Sequence, residues 1–247
     1  MPARHPLART TFLLALAGLL VLGGCSVGKA REAARLARAS EPLQADPPDP
    51  RASLLIVGDS TAVGTGASTP QASVAGRIAA QHPQLRIVNL AADGAKYRDF
   101  AGQLRSAAGR FDAVLVLGGG NDVVRLTPVD RLRGDVATTV ALARERAPRV
   151  ILMPPGNVGN APFFFRPLAW LMTQRAQALH EVVREEAGRH GDVQYVDLYE
   201  PREQDPFAQR PREMHASDGL HPSDAGYALW TQELRRQAGP LPGVAPA

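Results

Sequence analysis

Five residues at four places in this sequence are of the types that acyl transfer requires. They are Ser60, Gly94, Asn121 and the pair Asp218 and His221. A serine hydroxyl becomes a good nucleophile only when a neighbouring base takes its proton, and imidazole is the commonest base. A carboxylate that orients the imidazole and stabilises its cation completes the set. The residue types therefore predict a serine nucleophile at 60, a base at 221 and an orienting carboxylate at 218.

The sequence around Ser60 suggests how its hydroxyl is presented. The apolar run 54–57 precedes it and is typical of a buried strand, which would leave the serine at the exposed end of that strand. A serine that only caps the next helix is the alternative at this position, and a surface loop histidine is the alternative for His221. The presence of all four groups favours the catalytic interpretation of both residues.

Short apolar runs alternate with longer helical patterns from residue 52 onward. The predicted strands are Ser53–Val57, Leu85–Leu90, Ala113–Leu117, Val150–Met153 and Val193–Leu198, and the predicted helices are about 71–82, 96–108, 128–147, 166–190 and 223–237. Nearly continuous apolarity indicates strands that are buried on both faces of a parallel sheet. The alternation predicts a three-layer α/β/α sandwich with a five-stranded parallel sheet, flavodoxin-like, in one domain over 52–238.

The predicted sheet brings the candidate residues together. Ser60, Gly94 and Asn121 follow the first, second and third strands, and ligands of such sheets bind at the carboxyl ends of the strands. We therefore expect these three residues to meet at one edge of the sheet.

In these motifs the chain resembles the SGNH hydrolase superfamily, the GDSL-type esterases and lipases. The resemblance covers 52–238 and rests on four blocks: Gly58-Asp59-Ser60-Thr61, Asn89 through Gly94, Gly119-Gly120-Asn121-Asp122 and Asp218-Gly219-Leu220-His221. Thr61 stands where the namesake motif has leucine. Each block is weak alone, whereas the four in order are specific.

The resemblance implies a role for each candidate residue. Ser60, His221 and Asp218 would form the catalytic triad. The oxyanion hole would consist of the backbone N–H groups of Ser60 and Gly94 and the side-chain amide of Asn121. No cofactor is implied. Asp59 and Asp122 are expected to brace the site through hydrogen bonds to loop backbone rather than to act on substrate.

The N-terminus is typical of an export signal. Residues 1–24 contain two arginines followed by the apolar stretch Thr11 to Leu22, which is short for a transmembrane helix. Leu22-Gly23-Gly24-Cys25 resembles the lipobox of bacterial lipoproteins, which implies lipidation of Cys25, the sole cysteine. A plain secretory signal is the alternative. Because Ser26 replaces the aspartate that often marks inner-membrane retention, we expect anchoring at the periplasmic side of the outer membrane rather than the inner membrane.

Residues 25–51 are predicted to be the lipidated cysteine and a flexible tether. The segment Lys29 to Arg38 has the composition of a short helix, and the prolines at 47, 48 and 50 end it. We interpret this part as a spacer between membrane and domain; contact of a basic helix with anionic headgroups is the alternative. Residues 239–247 are predicted to be a disordered tail.

The net charge, the histidine spacing and the aromatic residues say less about function. The net charge of +4 is spread along the chain, so nucleic acid is not an expected partner. His215, Asp218 and His221 have the spacing of a metal site, but Ser217-Asp218-Gly219 favours a loop, and no metal is expected. The apolar segment Phe163–Phe165 with Trp170 would either line an acyl-binding groove, touch lipid or pack in the core.

Together these observations predict a monomeric, lipid-anchored serine esterase of the cell envelope that works through an acyl-serine intermediate. Its substrates would be small-molecule, lipid or glycan esters, and the apolar segment at 161–170 favours acyl chains over sugars. An acyltransferase that uses the same triad is one alternative. A non-catalytic envelope binding protein is another, although the intact triad argues against it.

Overall fold

The structure of the protein is a computed structural model, and it describes residues 27–241. The predicted signal peptide, the predicted lipidation site at Cys25 and the last six residues of the predicted tail lie outside this range.

A five-stranded parallel sheet forms the middle layer. Its strands are β1 (Ala52–Gly58), β2 (Leu85–Asn89), β3 (Ala113–Leu117), β4 (Val150–Met153) and β5 (Val193–Tyr195). They lie in the order β2-β1-β3-β4-β5, which is the flavodoxin-like order. Every residue of β3 and β4 is buried, as the continuous apolar runs predict for central strands. The predicted fold class is therefore confirmed.

Helices surround the sheet. They are α1 (27–39), α2 (Ser60–Val63), α3 (Val74–Gln81), α4 (Tyr97–Ser106), α5 (Gly120–Val124), α6 (Val129–Arg146), α7 (Leu168–Ala187), α8 (Pro206–Gln209), α9 (Pro211–Met214) and α10 (Asp224–Ala238). Within residues 27–241, none is long and apolar enough to cross a membrane.

Two apolar cores lie on opposite faces of the sheet. Alternate residues along each strand point to opposite faces, so Leu55 belongs to one core and Leu54 to the other. Helices α4, α6 and α7 cover the first face, and α3 and α10 cover the second. This arrangement leaves the carboxyl ends of β1, β2 and β3 uncovered by the long helices, and the candidate residues follow those ends.

Some predicted boundaries differ from the observed ones. The first predicted helix, 71–82, is divided into a short 3₁₀ turn at Pro70–Ala72 and α3, because Ser73 caps α3 by accepting from the Gly76 N–H. The fourth predicted helix begins at Leu168 rather than 166, directly after Pro167. The fifth strand ends at Tyr195, three residues earlier than predicted.

The segment expected to be a flexible tether lies against the domain over its described part, 27–51. Helix α1 forms there, as its composition suggests. Beyond it, Ala45 pairs in antiparallel fashion with Ile87 of β2: the Ala45 N–H donates to the Ile87 carbonyl (3.0 Å), and the Ile87 N–H donates to the Ala45 carbonyl (2.7 Å). The Gln44 side chain accepts from the Asn89 N–H at 3.0 Å and donates to its carbonyl at 2.7 Å. These long-range contacts are why this part differs from a free spacer.

Candidate functional site

The serine lies at the first turn after β1. The strand ends at Gly58, Asp59 caps the short helix α2, and Ser60 is its first residue. The Asp59 side chain accepts hydrogen bonds from the Thr61 N–H (2.9 Å) and the Thr61 hydroxyl (2.7 Å), which fixes the turn. This turn holds the Ser60 hydroxyl at the carboxyl edge of the sheet.

Ser60, His221 and Asp218 form a hydrogen-bonded chain. His221 Nε2 lies 2.9 Å from Ser60 Oγ, and His221 Nδ1 lies 2.6 Å from Asp218 Oδ2. An ionised Asp218 accepts the Nδ1 proton, so Nε2 is left to accept from the serine hydroxyl. The structure thus brings together three residues that the sequence separates by up to 161 positions.

The surroundings of Asp218 keep it ionised. The residue is fully buried, which by itself would raise the pKa of its carboxyl group. Its hydrogen bond to the His221 ring, together with bonds from the Leu220 N–H (2.9 Å) and the His221 N–H (3.1 Å), outweighs that cost and lowers the pKa below its ordinary value. Asp218 therefore carries a negative charge against the imidazole at any pH near neutrality.

Three hydrogen-bond donors line the same cavity as Ser60. They are the backbone N–H groups of Ser60 and Gly94 and the side-chain amide of Asn121. None of the three has an acceptor within residues 27–241, although most donors of a folded chain are paired. Gly94 has φ 76°, a left-handed conformation that glycine adopts without steric cost. The arrangement could stabilise a negatively charged oxygen beside the serine.

Asp59 braces the loop that carries Asn121. Its second oxygen accepts from the N–H groups of Gly119 (2.9 Å) and Gly120 (3.1 Å). A Cβ atom at Gly118 would lie 2.8 Å from the Asp59 carboxyl carbon, so only glycine permits this close approach. One buried carboxylate thus joins the turn after β1 to the turn after β3.

Asp122, in α5, holds the start of α4 in the same way. Its Oδ2 accepts from the Tyr97 N–H at 2.9 Å, at the start of α4. Burial raises the pKa of Asp122, and the hydrogen bonds from Tyr97 and Thr127 oppose this effect. As expected, both aspartates of these blocks accept hydrogen bonds from loop backbone.

A cavity of about 430 Å³ opens beside the triad. Much of its lining is apolar and consists of the aromatic rings of Phe207 and Trp230 and of small or medium side chains: Ala33, Ala34, Ala37, Val124, Val158, Ala161 and Leu220. Three of these alanines belong to α1, so the segment expected to be a spacer is part of the cavity wall. Sequence reasoning missed them, although alanines at 33, 34 and 37 follow the spacing of one helix face.

Two contacts fix α1 at this place. The Lys29 ammonium donates to the Pro162 carbonyl, and the Ser217 hydroxyl donates to Glu32 at 2.5 Å. Hydrogen bonds from Arg35 and Ser217 lower the pKa of Glu32 to about 2, so this carboxylate stays ionised above that pH. Helix α1 is therefore tied to the loop after β4 and to the loop that carries Asp218.

The remaining sequence candidates take no part in the hydrogen-bonded chain, although His215 lines the same cavity. Nδ1 of His215 lies 3.1 Å from the Pro211 carbonyl, and burial lowers the pKa of this histidine. No group of three or more potential metal ligands converges within the described residues. In the apolar segment, Phe164 is buried in a core, whereas Phe165 and Trp170 are exposed and outside the cavity wall.

Comparisons with known proteins agree with this geometry. A sequence model of the GDSL-like lipase/acylhydrolase family matches residues 56–229. No curated protein matches the chain. Similar solved structures include LAE5, an alpha/beta hydrolase from the metagenome of Lake Arreo in Spain (22% identity, 77% of this chain and 96% of that chain, TM-score 0.59).

Two further structures have comparable similarity. One is a catalytic mutant of the acetylxylan esterase Axe2 from Geobacillus stearothermophilus (21% identity, 81% of this chain and 99% of that chain, TM-score 0.56). The other is TesA (23% identity, 75% and 97%, TM-score 0.57). At these identities the likeness concerns the fold. The family match itself spans more than half of the sequence, and the chain accordingly belongs to the GDSL-like lipase/acylhydrolase family, a family of ester hydrolases.

Proposed function

We propose that this protein is a serine esterase that hydrolyses carboxylic esters through an acyl-serine intermediate. The observation that carries the proposal is the position of His221 between Ser60 Oγ and Asp218, with distances of 2.9 and 2.6 Å. Distances in this range are what proton transfer from serine to imidazole requires.

The reaction follows from the hydrogen bonds. Ser60 Oγ attacks the ester carbonyl carbon while His221 Nε2 takes the hydroxyl proton, and Asp218 stabilises the resulting imidazolium. His221 then gives this proton to the departing alcohol, which leaves the acyl group on Ser60. A water molecule, deprotonated by His221, attacks the acyl carbon, and the proton returns to Ser60 Oγ as the acid leaves.

The three unpaired donors would stabilise each tetrahedral intermediate. Its negatively charged oxygen would accept from the N–H groups of Ser60 and Gly94 and from the Asn121 amide. Such donors are effective because they are already oriented before the charge develops.

The cavity supports acyl esters as the substrate class. Alanine, valine and leucine side chains form the wall beside the serine, and such a surface gains free energy by covering an alkyl chain. Small side chains at 33, 34 and 37 leave room there. We further propose that the enzyme acts in the cell envelope, anchored by a lipid on Cys25, as the lipobox-like sequence Leu22-Gly23-Gly24-Cys25 suggests.

The test compares the full chain with its Ser60→Ala variant on p-nitrophenyl esters of increasing acyl length. We expect hydrolysis by the unaltered protein and a loss of several orders of magnitude in the variant. A fluorophosphonate probe should label only the unaltered protein. Equal thermal unfolding of the two proteins would show that the variant is folded. Hydrolysis that persists in a folded Ser60→Ala variant would refute the proposed nucleophile.

A further inference from the structure

Exposed large apolar side chains occur in only three segments of residues 27–241. These side chains are Val27, Val124, Leu126, Phe165 and Trp170. Val27 begins α1, Val124 and Leu126 lie at the end of α5, and Phe165 and Trp170 flank the start of α7. Single exposed apolar residues are ordinary, but their confinement to three segments is not.

Two of the three segments line the catalytic cavity, and the third is hydrogen-bonded to elements around it. Val124 and three alanines of α1 line the cavity itself. The hydrogen bond from Lys29 to the Pro162 carbonyl joins α1 to the third segment. That segment also lies beside the catalytic loop, because the Phe163 N–H donates to the Gly219 carbonyl at 2.9 Å. We call the surface formed by 27–38, 124–127 and 162–170 the rim.

The rim is positively charged. It contains one lysine, five arginines and a single acidic residue: Lys29, Arg31, Arg35, Arg38, Arg125, Arg166 and Glu32. Glu32 is occupied by hydrogen bonds from Arg35 and Ser217. The other five cations form no ion pair within the described residues, and apolar side chains interspersed with such cations form a surface that binds anionic lipid headgroups.

The sequence before the rim gives a second reason to expect a bilayer there. Cys25 is two residues before Val27, and two residues span at most about 7 Å. The apolar stretch Thr11 to Leu22 precedes it. Any membrane attachment at or before Cys25 would therefore reach the domain at the N-terminus of α1, which is part of the rim.

We propose that the rim docks on an anionic phospholipid bilayer, so that the mouth of the cavity faces the membrane. The substrates of the proposed esterase would then be acyl esters that reside in the bilayer, and this part of the inference rests on the proposed function. Residues 27–51 would orient the active site towards the lipid surface instead of holding the domain away from it.

The two tryptophans of the chain make the proposal testable. Trp170 is 66% exposed on the rim, whereas Trp230 is 6% exposed and is packed in the core with one side on the catalytic cavity. The full chain would be reconstituted into vesicles of phosphatidylglycerol and brominated phosphatidylcholine, because bromine quenches only tryptophans that reach the lipid. We expect a loss of emission relative to non-brominated vesicles, and most of this loss should disappear in the Trp170→Phe variant, which retains only the buried Trp230.

Two results would overturn the docking proposal. One is equal emission in brominated and non-brominated vesicles, which would place Trp170 away from the lipid. The other is a change in Trp170 emission that depends on protein concentration without lipid, which would assign the rim to a second copy of the chain.

A pair of charge variants separates docking from catalysis. Phe165→Glu adds a negative charge to the rim, and Gly191→Glu adds the same charge next to the amino end of β5, at the opposite edge of the sheet, where the glycine has open space. We expect Phe165→Glu alone to lower hydrolysis of a vesicle-embedded ester by about tenfold. Both variants should hydrolyse soluble p-nitrophenyl acetate at the unaltered rate.

Hydrolysis of the soluble ester distinguishes failure of the esterase proposal from failure of the docking proposal. If the unaltered protein hydrolyses none of the p-nitrophenyl esters of the series but Trp170 is quenched, the esterase proposal fails and docking stands. If it hydrolyses the soluble ester and Phe165→Glu affects neither substrate, docking fails and the esterase stands.

Discussion

Asp59 is bonded to both the turn of Ser60, the proposed nucleophile, and the turn of Asn121, a proposed oxyanion donor. One of its oxygens fixes the turn that begins with Ser60, and the other holds the N–H groups of Gly119 and Gly120, next to Asn121. The spacing between Ser60 and Asn121 is therefore set by one buried carboxylate rather than by two independent loops. This is how a site assembled from separate strands keeps the precision that catalysis needs.

The contribution of Asn121 can be measured directly. In the variant Asn121→Ala the developing oxyanion loses one of three donors, and we expect kcat to fall by about 10²–10³-fold with little change in KM. Steady-state kinetics on a soluble p-nitrophenyl ester would give both constants. Val124→Ala, which shortens the cavity wall close by without removing a donor, is the matched control and should alter KM more than kcat. A fall in kcat of the same size in both variants would contradict the role of the amide.

The sequence predicts the candidate catalytic residues better than it predicts the hydrogen bonds that hold them in position. Ser60 and His221 are recognisable because their types and order carry the chemistry. The supporting role of Asp59, by contrast, depends on backbone N–H groups 60 and 61 positions away, which both donate to its Oδ2. Every residue but proline carries such a group, so no side-chain pattern marks the partners.

Of all the elements, helix α1 has the role that is hardest to predict from composition. Its alanines have high helix propensity, which predicts a helix but not what the helix packs against. Its position depends on the contacts of Lys29 with Pro162 and of Glu32 with Ser217, which join distant parts of the chain. The prolines that follow α1 indicate an extended segment but not its antiparallel pairing with β2.

The alanine face of α1 should influence acyl-chain selection. In the variant Ala37→Leu a larger side chain enters the cavity, and we expect the ratio of long-chain to acetyl ester hydrolysis to fall by about tenfold. Ala39→Leu adds the same atoms about 200° further around the helix, outside the cavity wall, and serves as the control. Rates over a series of acyl lengths would reveal the change. An unchanged profile in Ala37→Leu would mean that acyl chains do not pass along α1.

At the scale of the whole molecule, the fold was the most predictable feature. Buried parallel strands need apolar side chains on both faces, so each of the five strands appears in the sequence as a run that a local pattern detects. The ends of the elements were less predictable, because they depend on single hydrogen bonds. Ser73, which caps α3 through the Gly76 N–H, moved the start of that helix from the predicted 71 to 74.

The pairing of residues 44–45 with β2 also protects the outer edge of the sheet. On that edge, both polar backbone groups of Ile87 and of Asn89 are bonded to Ala45 or Gln44. An uncovered edge strand offers such groups to any other chain, which is a common route to intermolecular strand pairing and aggregation. We therefore expect residues 44–45 to limit strand pairing between copies of the chain.

A shortened chain that begins at Arg51 should therefore lose two properties at once. We expect it to aggregate at concentrations where the full chain stays monodisperse, as light scattering would show, and to lose acyl-chain selection together with the α1 wall. A monodisperse shortened chain would contradict the protective role of the pairing. Ala37→Leu leaves the pairing with β2 intact. This variant should therefore change acyl-chain selection without causing aggregation, whereas the deletion changes both.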